Sequence, residues 1–262
     1  MIKREIHLFL TSIMFYTRIP CPRWVDHSPD YLNKATRYFP LVGWIVGGVY
    51  AGSIVVLIMF FSPLISIILG LAISVLMTGA FHEDGFTDMC DGFGGGWTRE
   101  KILLIMKDSR VGTFGLVGLG LLLALKVSST YDLIGEANGQ IFILMIITSH
   151  TLSRAMAVIV VRCMSYARDD DDQSKAKPIS TSISVNSLVV AITFSLIPLI
   201  GLMLQTSPMV GLGVIPMMVS TVYLMWYFKK WIGGYTGDCL GAIQQVTEVV
   251  FLLSQLILWR YI

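Results

Sequence analysis

The sequence predicts an all-α integral membrane protein: a polytopic bundle of about seven transmembrane helices plus an N-terminal interfacial helix, in one catalytic domain over 1–262. Three observations predict it. First, 55% of the 262 residues are hydrophobic and 14% are charged, with a mean hydropathy of +0.72. A soluble globular chain carries roughly 25% charged residues. Second, uncharged apolar runs at 39–61, 64–81, 187–204 and 209–228 are each long enough to cross a hydrocarbon core of about 30 Å. Third, the basic residues sort by loop, as the positive-inside rule requires. This composition excludes a soluble enzyme, a disordered chain, one long coiled coil and a nucleic-acid module. The net charge of +2 names no partner.

The elements follow in order. Residues 5–17 form the interfacial helix, and the Thr17-Arg18-Ile-Pro20 stretch that ends it lacks a signal-peptide cleavage pattern. The runs at 39–61 and 64–81 are the first two spans. The third, 112–131, holds Lys126, whose long stem reaches polar groups between helices. The fourth, 141–161, holds His150 and Arg154. The runs 187–204 and 209–228 are the fifth and sixth. The seventh, 246–260, carries Glu248 near its start. Gly43, Gly47 and Gly48, and the series Gly112, Gly115, Gly118 and Gly120, put small residues on helix faces, which lets helices pack closely in lipid. With seven spans, segments 1–38, 82–110, 162–186 and 229–245 share one side and hold 16 of the 19 Lys and Arg residues. The opposite loops 62–63, 132–140 and 205–208 hold none. The basic side is read as cytoplasmic, and nearly all the acids lie there too, so function is expected at that face. Four scattered cysteines (Cys21, Cys90, Cys163, Cys239) show no C-x-x-C pairing and suggest neither a disulfide framework nor a zinc site. No inverted repeat supports a transporter, and nothing in the sequence specifies an oligomer.

The most informative segment is His82-Glu83-Asp84-Gly85-Phe86-Thr87-Asp88-Met89-Cys90-Asp91-Gly92. Asp84, Asp88 and Asp91 are spaced i, i+4, i+7 and share one helix face. Three carboxylates that close repel unless a cation neutralises them. Hard oxygen donors without a sulfur pair or several histidines point to Mg²⁺ or Mn²⁺. Gly94-Gly95-Gly96 ends that helix. Asp108 adds a carboxylate between Lys107 and Arg110 and joins Asp84, Asp88 and Asp91 as an expected metal ligand. Lys107 and Arg110 suit phosphate oxygens, against the plainer reading of membrane anchors. Carboxylates with cations at a membrane surface point to metal-assisted phosphoryl transfer.

The run His82-x-Asp84-Gly85-x-x-Asp88-x-x-Asp91-Gly92, followed by Met106-Lys-Asp-Ser-Arg110-x-Gly112, resembles the adenosylcobinamide-GDP ribazoletransferase, or cobalamin synthase, family. Thr17-Arg18-Ile-Pro20, Phe39-Pro-Leu-Val-Gly43, Ser153-Arg154-Ala155, Tyr166-Ala-Arg168 and the run from Gly233 through Asp238 to Ala242 match as well, in order over essentially the whole chain. Glu83 departs, standing where the family often has an apolar residue, and Tyr235 and Cys239 fill variable places. The resemblance implies that adenosylcobinamide-GDP and α-ribazole, or its 5′-phosphate, are joined to adenosylcobalamin, or its phosphate, with release of GMP. It implies Mg²⁺, small-molecule substrates, a membrane lipid setting and no nucleic acid. The expected place is the cytoplasmic (inner) membrane of a prokaryote, multi-pass, with the site facing the cytoplasm.

The other marked positions carry two readings each. Arg154 lines a site or snorkels to the interface. Arg168 is a phosphate candidate, whereas Asp169 to Asp172 read as a solvated run and Lys175 to Ser187 as a mobile loop. Thr236 and Asp238, in a glycine-rich loop, contact substrate or form a plain turn, and Gln244, Gln245 and Glu248 could continue that lining. His82 either deprotonates the attacking hydroxyl or orients a carboxylate; a cluster aspartate is the other candidate base. Two rival readings lack their marks. A CDP-alcohol phosphatidyltransferase should show Asp-Gly-x-x-Ala-Arg, but Asp84-Gly85 leads into Phe86-Thr87-Asp88. A cation transporter should place its acids near the bilayer midplane.

Overall fold

The computed structural model describes residues 2–25, 28–168 and 183–261. The acid run Asp169 to Asp172 and the following stretch to position 182 lie outside the described residues. The described chain is helical, joined by short turns. Helix α1 spans Ile2–Tyr16, α2 Pro29–Ala35, α3 Phe39–Leu57, α4 Pro63–Thr78, α5 Phe81–Gly95 and α6 Arg99–Ile105. The long helices α7 Thr113–Glu136, α8 Gly139–Cys163, α9 Val185–Gln205, α10 Val214–Ile232 and α11 Gly237–Leu258 follow. Val185 to Ser187, expected in a mobile loop, are the first turn of α9.

Six helices are long and apolar enough to cross a bilayer, or seven if the bent pair α4 and α5 is one span. The protein is therefore a multi-pass membrane protein. The second expected span is corrected: α4 stops at Thr78 after 16 residues, about 24 Å at 1.5 Å per residue, and α5 leaves it at 89°. The corner is built from Gly79 and Ala80, both left-handed (φ 68° and 59°). A Cβ on Gly79 would lie 2.5 Å from Arg18 Nε, and Arg18 N–H donates to Met77 O at 2.7 Å. Glycine is thus required at 79 twice over, by φ and by space. With α4 along the bilayer normal, α5 lies across one end of the bundle, outside the spans.

Helix α8 is the central helix and packs on α3, α9 and α11. Two of the small residues expected on α3 do this work: a Cβ at Gly43 would stand 2.7 Å from His150 O, and one at Gly47 3.0 Å from His150 Cβ. Gly48 and Gly120 make no such close approach. The seventh span begins nine residues before its expected start, because α11 includes Asp238, Gln244 and Gln245. The connections 96–112, 163–168 and 233–236 gather at one end, where Arg99 donates to Ile232 O and Ala167 O (3.2 and 2.6 Å).

Within the bundle sits a charged chain. Lys126 on α7 meets Glu248 on α11 (2.5 Å), and His150 and Arg154 on α8 lie 3.3 and 3.9 Å from the same carboxylate. Gln244 donates to Glu248. All are at most 3% exposed. A lone charge in this apolar interior is expensive, so the pairing is what allows these residues to be there.

Candidate active site

Helix α5 carries the expected carboxylates, and three contacts place it. Its Gly85 backs onto α11, where a Cβ would sit 3.1 Å from Asp238 Cα, and Gly241 of α11 returns the approach against His82 O (3.0 Å). Gln245 Nε2 donates to Glu83 Oε1 at 2.8 Å, so the buried Glu83, which departs from the expected pattern, ties α5 to α11. At its far end α5 meets α7 through Asp91.

Asp91 accepts from Gly112 N–H (2.7 Å) and Gly115 N–H (2.8 Å). These belong to the first turn of α7, whose N–H groups have no partner within the helix. A Cβ at Gly112 or Gly115 would collide with this carboxylate (2.5 and 2.4 Å). Asp91, expected as a catalytic metal ligand, is committed to capping α7 with both oxygens.

Asp84 is exposed and Asp88 half-buried. Both lie near enough to Asp238 for charge to act between them, and the sequence marks Asp238 only as a substrate contact. Arg168 donates to Asp238 Oδ2 at 2.9 Å and Thr236 to the same oxygen at 3.2 Å, while the Thr236 hydroxyl also accepts from Cys239 N–H. Arg168 reaches this place because Ala167 N–H donates to Tyr235 O and Tyr235 N–H to Ser165 O (2.9 and 3.1 Å), a short parallel bridge between distant loops. Burial, then the charges of Asp238, Asp84 and Asp91, push the Asp88 carboxyl up to about 7, against the pull of Arg168. The site thus holds surplus negative charge. Its oxygen-only donors suit a hard divalent cation that would relieve it. Among the described residues no three His, Cys, Asp or Glu side chains already stand at the spacing of a ligand shell.

Five expected site residues are placed elsewhere. Asp108 is held by Arg110 through backbone N–H and guanidinium (3.1 and 3.0 Å) on an exposed loop, which drives its carboxyl down to about 2. It joins Arg110, not the α5 carboxylates, because a two-residue separation lets the fork close locally. Lys107 and Arg110 are both exposed on that loop. Arg154 is 2% exposed, donates to His150 O at 2.7 Å and covers Phe39 at 5.5 Å, so its guanidinium is used inside the bundle. The His82 ring stacks with Phe39 (5.6 Å, 10°) and Tyr16 (6.5 Å, 15°). At 100° per residue it points about 200° away from Asp84. It meets no carboxylate of the site, so neither expected role has a contact behind it.

The family model described as cobalamin-5-phosphate synthase matches residues 8–256. The chain belongs to the cobalamin-5-phosphate synthase family. Two relatives named adenosylcobinamide-GDP ribazoletransferase illustrate the likeness. The one from Leptospira interrogans is 42% identical over 264 residues, covering 100% of this chain and 99% of its own. The one from Shewanella piezotolerans is 42% identical over 258 residues, covering 97% and 96%. No solved structure matches the chain. Residues 8–256 contain every side chain of the site just described, from Asp84 to Asp238.

Proposed function

We propose that this protein is a Mg²⁺-dependent adenosylcobinamide-GDP ribazoletransferase acting at the cytoplasmic face of a prokaryotic inner membrane. Its substrates are adenosylcobinamide-GDP and α-ribazole or its 5′-phosphate, and its products are adenosylcobalamin, or its phosphate, and GMP. The relatives' shared name over nearly the full length of each chain supports the substrate assignment. The observation that carries the chemistry is the nearness of Asp84 and Asp88 from α5 to Asp238 and Arg168.

A ribose hydroxyl that stays free when the 5′ position is phosphorylated attacks, through its oxygen, the phosphorus that bears the cobinamide. A P–O bond forms, the P–O bond to GMP breaks, and GMP leaves with the electron pair while the hydroxyl proton passes to a base or to water. When bound, Mg²⁺ supplies charge neutralisation for the pyrophosphate oxygens; Asp84, Asp88 and Asp238 would hold it. Arg168 holds Asp238 in place and offers its remaining donors to phosphate. Glu83, through Gln245, fixes the height of α5 on α11.

The test is GMP release by purified protein in detergent. Release should require both substrates and Mg²⁺, and stop with chelator. GMP formed at the same rate without ribazole, or none formed under any condition, would sink the reading. A cysteine placed at position 100 should react only with reagent supplied from the cytoplasmic side; labelling from outside would reverse the assigned face.

A further inference from the structure

The opposite end of the bundle holds a second site, independent of the reading above. From Gly112, bonded to Asp91, helix α7 runs 24 residues, about 36 Å, to its C-terminus at Glu136. Helix α11 runs in the same direction. Trp259, at its end, donates its indole N–H to Glu136 O at 3.3 Å. Between the two helix ends lies a cleft of about 370 Å³ bounded by Tyr131, Asp132, Glu136, Leu256, Trp259 and Arg260. It is therefore one bilayer thickness away from the carboxylate site, at the other membrane surface.

The charges in this cleft run against helix energetics. Asp132 and Glu136 are like charges at i, i+4, which repel. They stand in the last turn of α7, where the helix dipole is negative and cations are favoured. No basic residue occupies that turn. Among the described residues neither carboxylate is ion-paired, and Arg260 on the facing wall is not paired with either. The cleft thus presents a negative wall and a separate positive one, with two aromatic residues at the depth where Trp and Tyr mark an interface. On the bilayer side Leu121 and Leu125 are 63% and 47% exposed. They lie eleven and seven residues before Asp132, on the same face of α7, so an apolar track leads from the cleft into the hydrocarbon.

We propose that this cleft binds the headgroup of a phospholipid bearing a primary amine. The ammonium group donates to Asp132 and Glu136, the phosphate accepts from Arg260, and an acyl chain follows Leu125 and Leu121. A primary ammonium offers three N–H donors to the two carboxylates, which a trimethylammonium headgroup lacks. An anionic headgroup without an amine meets the carboxylates as a like charge.

Native mass spectrometry of the full chain with phosphatidylethanolamine, phosphatidylcholine and phosphatidylglycerol of one acyl composition tests this. Phosphatidylethanolamine should be retained at least about tenfold more tightly than the other two, the effect expected of a hydrogen bond to a charged group. The Asp132→Asn/Glu136→Gln double variant should bring it down to the phosphatidylcholine level, and Arg260→Gln should weaken it. Removing the repelling pair should leave the melting temperature unchanged or raised; if the double variant fails to fold, Asp132→Asn alone makes the same comparison. Equal retention of the three lipids, or unchanged retention by the folded carboxylate variants, would overturn the proposal. So would displacement of the lipid by soluble phosphoethanolamine at equal concentration, which would mean a site for a free zwitterion.

Discussion

Asp88 and Asp91 stand three residues apart on α5 and do different work. Asp91 satisfies two N–H groups of α7, whereas Asp88 is crowded by Asp238, Asp84 and Asp91. Substitution should separate the roles. Asp84→Asn or Asp88→Asn should cut GMP release on the order of 10²-fold or more, extrapolated from the 10–100-fold of changes around metal ligands, with the melting temperature kept or raised by the relieved repulsion. Asp91→Asn keeps one accepting oxygen of two and should lower stability by about 0.5–2 kcal/mol, the range for a lost cap. Equal effects of all three on melting would show that no such division exists. The i, i+4, i+7 register of the aspartates is legible in the sequence because helical periodicity is local. The diversion of Asp91 is not, since its partners arrive 21 and 24 residues later. Asp238 shares a site with Asp88 only through a contact between two distant helices, and sequence spacing carries no trace of that. The sorting of basic residues puts both segments on one side, and Gly85 with Gly241 is the further signal of a close helix approach.

At the level of elements, hydropathy marks what touches lipid and misses what faces inward. It finds six long helices, yet starts α11 at 246 because Asp238, Gln244 and Gln245 look like loop. They are helical and face the bundle, so no apolar run announces them. It also carries the second span to 81, past the corner at Gly79 and Ala80; the glycine is a visible stop signal, but the left-handed alanine is not. The α5–α11 crossing is the element contact on which the site depends. Gly85→Ala would press a methyl to 3.1 Å from Asp238 Cα and shift the helices by a few tenths of an ångström. Overpacking costs about 1–3 kcal/mol. The loss in kcat/KM should be about tenfold, scaled from roughly 10²-fold for a 1 Å misplacement. Thermal melting and GMP release measured on the same sample check this. Full activity would mean that the crossing does not set the site geometry.

At the level of the whole molecule, the bundle is stitched by the buried pair of Lys126 and Glu248. Sequence reading anticipates that Lys126 reaches polar groups between helices, but the partner it finds 122 positions later is fixed only by the fold. Lys126→Met should destabilise the protein by about 3 kcal/mol, because it strands a buried carboxylate. Adding Glu248→Gln should recover part of that loss in a thermal melt; strictly additive losses would mean the two are not coupled. The tie between Glu83 and Gln245 has a consequence for biosynthesis. The two residues are 162 positions apart, and at about 5–20 residues per second the ribosome needs roughly 8–30 s to travel between them. For that interval α5 has left the translocation machinery with its acids but without the helix it rests on. The reaction centre is therefore completed by the final span, and a chain cut short before α11 would present an unseated acidic helix at the membrane surface, a mark by which quality-control proteases could tell unfinished copies from finished ones.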